Sequence, residues 1–251
     1  MKRTITFIFA SILCASICIA QESKVIVGIG HAGISEKILN CFKKSVTDAG
    51  AQYKVFEAYA TTDEMVKEYI NGVDALIIPG KGGNDTTGRS LLDVSLINEA
   101  IAQGKPVLGV CFGIQRINQA LGGKTVKVAE YYPNSTICHK KKVNGHNVLL
   151  YSEAHSIHIE KGSKLYEIFG KKNIMVNSSH LWSCYKIGDG LTVTATAPDG
   201  VVEALEGDKL LGVQFHPEVM YTQDINPEFL KIFQYIVNEA AEAKKTREAA
   251  E

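Results

Sequence analysis

The sequence predicts an α/β fold, a doubly wound, mostly parallel sheet with a small antiparallel extension. Three observations carry the prediction. Short apolar, β-branched runs alternate with amphipathic helical stretches from residue 24 to about residue 121, which is the pattern of parallel strands joined by crossover helices. Lys105-Pro106-Val107-Leu108 reads as a buried strand that turns sharply at Gly109-Val110-Cys111-Phe112-Gly113 into a helix. Beyond Gly123 the alternation stops, and Leu191–Ala197 and Val201–Leu205 read as an antiparallel hairpin around Pro198-Asp199-Gly200.

In chain order, Lys24–Ile29 is the first predicted strand. Ser35–Asp48 is a helix with Ile38, Cys41, Phe42 and Val46 on one face, stopped near Gly50. Tyr53–Phe56 is the second strand. Thr62 caps a helix carrying Met65, Val66, Tyr69 and Ile70 and ended by Gly72. Ala75–Ile78 is the third strand, Leu91–Gln103 the next helix, and Ile114–Leu121 the helix after Cys111. The stretch from Val126 to Asn147 mixes Pro, Gly and basic residues (His139 and Lys140–Lys142) and reads as an excursion of irregular strands, its lysine run a solvated loop rather than a binding patch. Val148–Tyr151 and Ser156–Ile159 are expected strands and Leu165–Phe169 a short helix; Ile174–Val176 leads into Asn177-Ser178-Ser179-His180. Leu210–Phe215 is a buried strand ending at His216-Pro217-Glu218. Asn226 and Pro227 start a final helix whose tail is expected to fray beyond Glu239. No internal repeat or second domain is visible.

Cys111 has the setting of a nucleophile elbow. Glycines two residues away on each side leave room for a strained, crowded turn, and the N-terminus of the following helix favours a thiolate. A nucleophilic Cys needs a base, and the base needs a group to orient it. His216 and Glu218 supply both two residues apart; on an extended chain they would face the same side. Cys111 would attack a carbonyl carbon, His216 would move the proton, and Glu218 would fix the imidazole tautomer. The loop Pro79-Gly80-Lys81-Gly82-Gly83 follows the third strand without Walker spacing. It suits an oxyanion hole made from the N–H groups of Gly83 and Phe112. Gly28-x-Gly30-x-x-Gly33 matches a dinucleotide fingerprint only weakly, because no acidic residue is clearly placed at a strand end about 20 residues on.

Residues 1–20 read as a cleavable secretory signal peptide. Lys2 and Arg3 precede an uncharged, mostly apolar run to Ala20 that is short for a membrane span of about 20 residues. An uncleaved anchor is the rival reading. Cleavage after Ala20 leaves residues 21–251 as a single domain, secreted or periplasmic, with no stable membrane association. Removing Lys2 and Arg3 from 27 basic residues leaves 25 against 27 acidic ones, a balance that does not point to nucleic acid as a partner. Four cysteines remain, too few for a disulfide scaffold. Cys138 and Cys184 are one open pairing. No Cys-x-x-Cys and no His cluster has zinc spacing, so neither metal nor cofactor is expected. Monomer and homodimer both stay open.

Five stretches together resemble the class I glutamine amidotransferase superfamily, and within it the γ-glutamyl-hydrolase-like branch that includes γ-glutamyl-γ-aminobutyrate hydrolases. They are Gly109–Gln115, Asn118-x-Ala120-Leu121-Gly122-Gly123, Val176-Asn177-Ser178-x-His180, Asp199-Gly200-x-x-Glu203 and Gly212–Glu218. The likeness runs from about Val25 to Phe233. It implies a flavodoxin-like fold and hydrolysis of a small-molecule γ-glutamyl amide. The triad would be Cys111, His216 and Glu218, and Gly83 and Phe112 would form the oxyanion hole. Gln115 would help hold the glutamyl part, with Gly82, Ser179 and His180 as further substrate-binding positions. The branch usually continues its His180 position with a second His and a Gln, whereas Leu181 and Trp182 stand here, which bears on substrate identity. A signal peptide favours a free-standing hydrolase. A glutaminase subunit of an amidotransferase and a non-catalytic binding protein are the alternatives.

Overall fold

A computed structural model of the chain describes residues 24–30, 33–57, 62–80 and 89–249. The expected signal peptide and the loop glycines Gly82 and Gly83 lie outside the described residues. The first half alternates strictly: β1 (Ile26–Gly30), α1 (Glu36–Asp48), β2 (Gln52–Phe56), α2 (Asp63–Asn71), β3 (Ala75–Ile78), α3 (Arg89–Ala102), β4 (Val107–Val110) and α4 (Phe112–Ala120). Ser35 and Thr62 cap α1 and α2, each hydroxyl accepting from the backbone N–H three residues on. The second half is mostly strand. It contains β5 (Lys124–Lys127), α5 (Val128–Tyr131), β6 (Lys142–Val143), β7 (His146–Asn147), β8 (His155–Ile159), α6 (Lys164–Phe169), β9 (Asn173–Val176), β10 (Trp182–Lys186), β11 (Thr192–Thr196), β12 (Val202–Gly207) and β13 (Leu210–Val213). Two helices close the chain, α7 (Pro217–Thr222) and α8 (Leu230–Glu248).

The main sheet runs β2-β1-β3-β4-β13-β12-β11-β8-β9. The pairs from β2 to β13 are parallel, and those from β13 to β9 are antiparallel. The central strands β3 and β4 are buried along their whole length. α1 and α8 cover one face, where Phe42 meets Phe233 edge-on at 6.3 Å; α2, α3 and α4 cover the other. The order in which successive strands are added reverses between β1 and β3, and the carboxyl ends of these strands border the cleft described below.

The weak dinucleotide fingerprint has a packing explanation. A Cβ at Gly28 would come within 2.9 Å of the Tyr69 hydroxyl, so glycine is needed for α2 to seat on β1. Two expectations are corrected, and one strand is new. Val148–Tyr151 forms a 3₁₀ turn rather than a strand, and β10, which the sequence did not signal, pairs with β5. The C-terminal tail continues as helix to Glu248 because Ala240 and Ala243 are buried and Lys244 and Arg247 both reach the Asp74 carboxylate at 3.2 Å. All four cysteines among the described residues are free thiols, so Cys138 and Cys184 are not paired; Cys184 is buried and Cys138 exposed.

Candidate active site

Cys111 stands between β4 and α4 with φ 54° and ψ −98°, a backbone state that non-glycine residues rarely hold. The surrounding chain enforces it. A Cβ at Gly109 would lie 2.5 Å from the Gly113 carbonyl carbon, and one at Gly113 would collide with the Ile78 carbonyl oxygen. Only glycines let β3, β4 and the first turn of α4 approach so closely. Cys111 donates its N–H to the Val213 carbonyl at 2.8 Å, one rung beyond the Val110–Val213 register pair. The nucleophile candidate and the end of β13 are therefore fixed to each other by the sheet.

His216 follows β13 by three residues and is the N-cap of α7. Here the structure corrects the sequence expectation of an extended His-Pro-Glu stretch. Pro217 opens the helix with its preset φ, and Glu218 sits in the first helical turn. The pair still meets: His216 Nδ1 lies 2.7 Å from Glu218 Oε1, with Glu218 fully buried and His216 nearly so. The ring also hydrogen-bonds the Cys111 thiol. Burial pulls the imidazole down. The Glu218 charge and then the Cys111 sulfur outweigh it and leave His216 well above its usual range. Asn177 holds the backbone of this residue from both sides, accepting from the His216 N–H at 2.8 Å and donating to its carbonyl at 3.1 Å. Phe112 is the first residue of α4, directly after the thiol, at the positive end of the helix.

A cleft of about 330 Å³ opens beside the triad. His216 and Gly80 form its floor, and Ile34, Ile38, Lys140, Leu150 and Ser179 stand around it. Ser179 is thus where the sequence expected a substrate contact, its hydroxyl already accepting from Asn147. Gln115 and His180 have other partners. The Gln115 amide donates to the Trp182 carbonyl at 3.1 Å and to Gln214 Oε1 at 3.2 Å, and the His180 ring is turned into a buried cluster. Lys140 was not singled out, because within a run of three lysines nothing in the sequence marks the one that faces the cleft. Leu181 and Trp182 are both exposed.

The peptidase C26 family model matches residues 16–218, most of the chain and ending on Glu218. The chain belongs to the peptidase C26 family. Among its relatives, protein NtpR of Enterococcus hirae is 31% identical over 200 residues, covering 71% of this chain and 80% of that protein. The γ-glutamyl-γ-aminobutyrate hydrolase PuuD of Escherichia coli is 26% identical over 209 residues, covering 75% and 80%. A solved glutamine amidotransferase from Thermotoga maritima superposes with a TM-score of 0.57 at 14% identity, covering 88% of this chain and 97% of that one, which shows a shared fold. Membership of the peptidase C26 family supports an enzyme of hydrolase or amidotransferase type, on the flavodoxin-like class I amidotransferase fold.

A second group of titratable side chains lies behind the cleft wall. His139, His155, His180 and Glu203, all buried, bring one donor atom each to within 4.8 Å of one another. Burial lowers His180 to about 3 and raises Glu203 to about 7, the latter against the pull of His155 and His139. These residues come from four separate stretches, 16 to 25 positions apart, so no local spacing reveals them.

Proposed function

We propose that this peptidase C26 family member is a thiol hydrolase that cleaves a γ-glutamyl amide through a γ-glutamyl thioester, releasing glutamate and an amine. The observation that carries the reading is the Cys111–His216–Glu218 hydrogen-bonded chain, starting on a strained elbow and passing through His216, which lines the cleft. Cys111 attacks the γ-carbonyl carbon as thiolate while His216 holds the proton. The imidazolium then gives that proton to the departing amine nitrogen as the C–N bond breaks. Water, deprotonated by the now neutral His216, attacks the thioester and expels the thiol. Glu218 keeps the Nδ1 proton on its own side of the ring and offsets the imidazolium charge. The Phe112 N–H and one from the glycine loop at Gly82 or Gly83 would bind the oxyanion. Loss of such a donor elsewhere costs about 10²–10³ in rate. Lys140 at the cleft rim would pair with the α-carboxylate of the glutamyl group, and Ser179 would hydrogen-bond it. The E. coli relative named as a γ-glutamyl-γ-aminobutyrate hydrolase supports the substrate class. The charge and apolarity of residues 1–20 support export of the protein.

The test is glutamate release from a panel of γ-glutamyl amides and from free glutamine, with Cys111→Ala alongside wild type. Release that depends on Cys111, with γ-glutamyl amides preferred, is the expected result. A preference for glutamine would replace the hydrolase reading with the amidotransferase one. Turnover retained in Cys111→Ala would remove the thiol mechanism. Amino-terminal sequencing of the exported protein, expected to begin at Gln21, tests the signal peptide.

A further inference from the structure

His139, His155 and His180 each present one ring nitrogen to Glu203 Oε1, at 3.6, 3.6 and 3.5 Å. The opposite nitrogen of every ring is already committed, and always to an acceptor. His139 Nε2 meets Asp199 Oδ2 at 2.9 Å, His155 Nδ1 meets the Ser156 carbonyl at 3.2 Å, and His180 Nδ1 meets the Trp182 carbonyl at 3.1 Å. An acceptor at one nitrogen places the proton there, which leaves the other as a bare lone pair. Three lone pairs and a carboxylate therefore converge on one point with no donor among them. None of the inward atoms (His139 Nδ1, His155 Nε2, His180 Nε2, Glu203 Oε1 and Oε2) has a hydrogen-bond partner among the described residues.

A cluster of acceptors only is unstable unless something positive sits in its middle. A proton on Glu203 would serve one imidazole at most, and separations of 3.5–3.6 Å are too long for that bond. A water brings two donors for four inward groups. A divalent transition metal satisfies all four together once the inward atoms, which lie within 4.8 Å of one another, draw in around it. With metal–ligand distances of about 2.1 Å, the edges of a tetrahedron are about 3.4 Å, close to the three His–Glu separations. The outer nitrogens have the carbonyl and carboxylate partners that orient metal-bound imidazoles, and Asp199 is itself held by the Ser135 hydroxyl at 2.5 Å and the Val201 N–H at 3.2 Å.

We propose that His139, His155, His180 and Glu203 form a structural metal site that takes Zn²⁺. All four positions come from buried protein groups, the mark of a closed structural site rather than one with a position left for substrate. The ion would tie the 135–140 excursion, the start of β8, the segment after β9 and strand β12 into one block. That block reaches the triad. Ser178 Oγ and the His180 N–H both bond the His139 carbonyl, at 2.8 and 3.0 Å, and Asn177, three residues before His180, clamps His216. The ion's task is thus to fix the wall behind His216, not to take part in bond breaking.

The test uses the full purified chain. Zinc content is measured by mass spectrometry before and after dialysis against a chelator, and the stripped protein is titrated with ZnCl₂ and with CoCl₂ as an optical probe. About one zinc per chain is expected, with the intense visible bands of tetrahedral Co²⁺ and a rise in Tm of about 10 °C when zinc is present near a thousandfold over its Kd. Glu203→Gln and His155→Gln should each bind at least about a hundredfold more weakly, while Cys111→Ser should bind as wild type, because the catalytic thiol is not a ligand. Stripped wild type that neither takes up zinc nor shifts its Tm would overturn the proposal, as would binding lost in Cys111→Ser. The wild-type titration decides the matter even if a ligand variant fails to fold, and it does not depend on whether any γ-glutamyl amide is hydrolysed.

Discussion

Gly80→Ala should damage chemistry while sparing the fold. A Cβ built on Gly80 lies 2.7 Å from His216 Cε1, 3.5 Å from His216 Nδ1 and 3.3 Å from Cys111 Cβ. Ordinary contact begins near 3.4 Å, so the ring must retreat by about 0.7 Å. It has little freedom to do so. Glu218 holds Nδ1 at 2.7 Å and Asn177 grips the backbone on both sides. The shift then falls on the contact with Cys111, across which the proton would move in the proposed mechanism. Misplacement of about 1 Å at a reacting centre costs about 10²-fold, so kcat/KM should fall about 30- to 100-fold, or about 2–2.7 kcal/mol. The assay pairs hydrolysis of a chromogenic γ-glutamyl anilide with the rate of Cys111 alkylation, in a Cys138→Ser background because Cys138 is exposed. Both rates should drop, with Tm lowered by only a few degrees. A folded Gly80→Ala enzyme with wild-type rates in both assays would refute the assignment of His216 and Cys111 as the reacting pair.

Other outcomes follow from the same geometry. In Glu218→Gln the main group raising His216 is gone and only Cys111 still opposes burial, so the imidazole should titrate at lower pH than in wild type; NMR of the ring and a basic limb of kcat/KM moved to lower pH would record it. The linkage has a definite sign. The raised His216 stabilises the folded state fully below about pH 6.5 and loses that contribution as pH climbs through the folded-state value, so the variant's stability deficit should shrink toward alkaline pH. Gly113→Ala drives a methyl into the Ile78 carbonyl, which is backbone and cannot step aside, and should cost about 3 kcal/mol or more in denaturant unfolding. Asn177→Ala strands the buried His216 N–H and should cost about 2–3 kcal/mol while lowering kcat more than it raises KM.

The parallel half of the fold is legible because its signals are local. Ser35 and Thr62 cap the helices expected of them, Ala75–Ile78 is a strand at its expected bounds, and the Gly-x-Cys-x-Gly frame gives the elbow. The antiparallel half is less legible because tertiary contacts decide it. Trp182–Lys186 becomes a strand by pairing with β5, and the 3₁₀ turn at Val148–Tyr151 keeps all its residues at least partly exposed, so their apolar run does not mark a core strand. The C-terminal helix is held by Asp74, 170 residues upstream of Lys244. His216 and Glu218 were readable as a pair from spacing, but the helical link between them depends on Pro217. The buried histidine cluster was unreadable because each member lies in a different stretch and only the fold gathers them.

The rung that joins β4 to β13 has a consequence for how such proteins diverge. Cys111 and His216 follow the ends of adjacent, hydrogen-bonded strands, whereas the cleft wall is drawn from the α1 approach, the excursion around Lys140 and the turn at Leu150. The sheet sets the Cys111–His216 pair and loops set the cleft beside it. Insertions and exchanges in those loops can therefore alter what the cleft accepts without altering the distance between sulfur and imidazole. Relatives with the same elbow can carry different specificities, and a change of substrate is a change of upholstery on an unchanged frame.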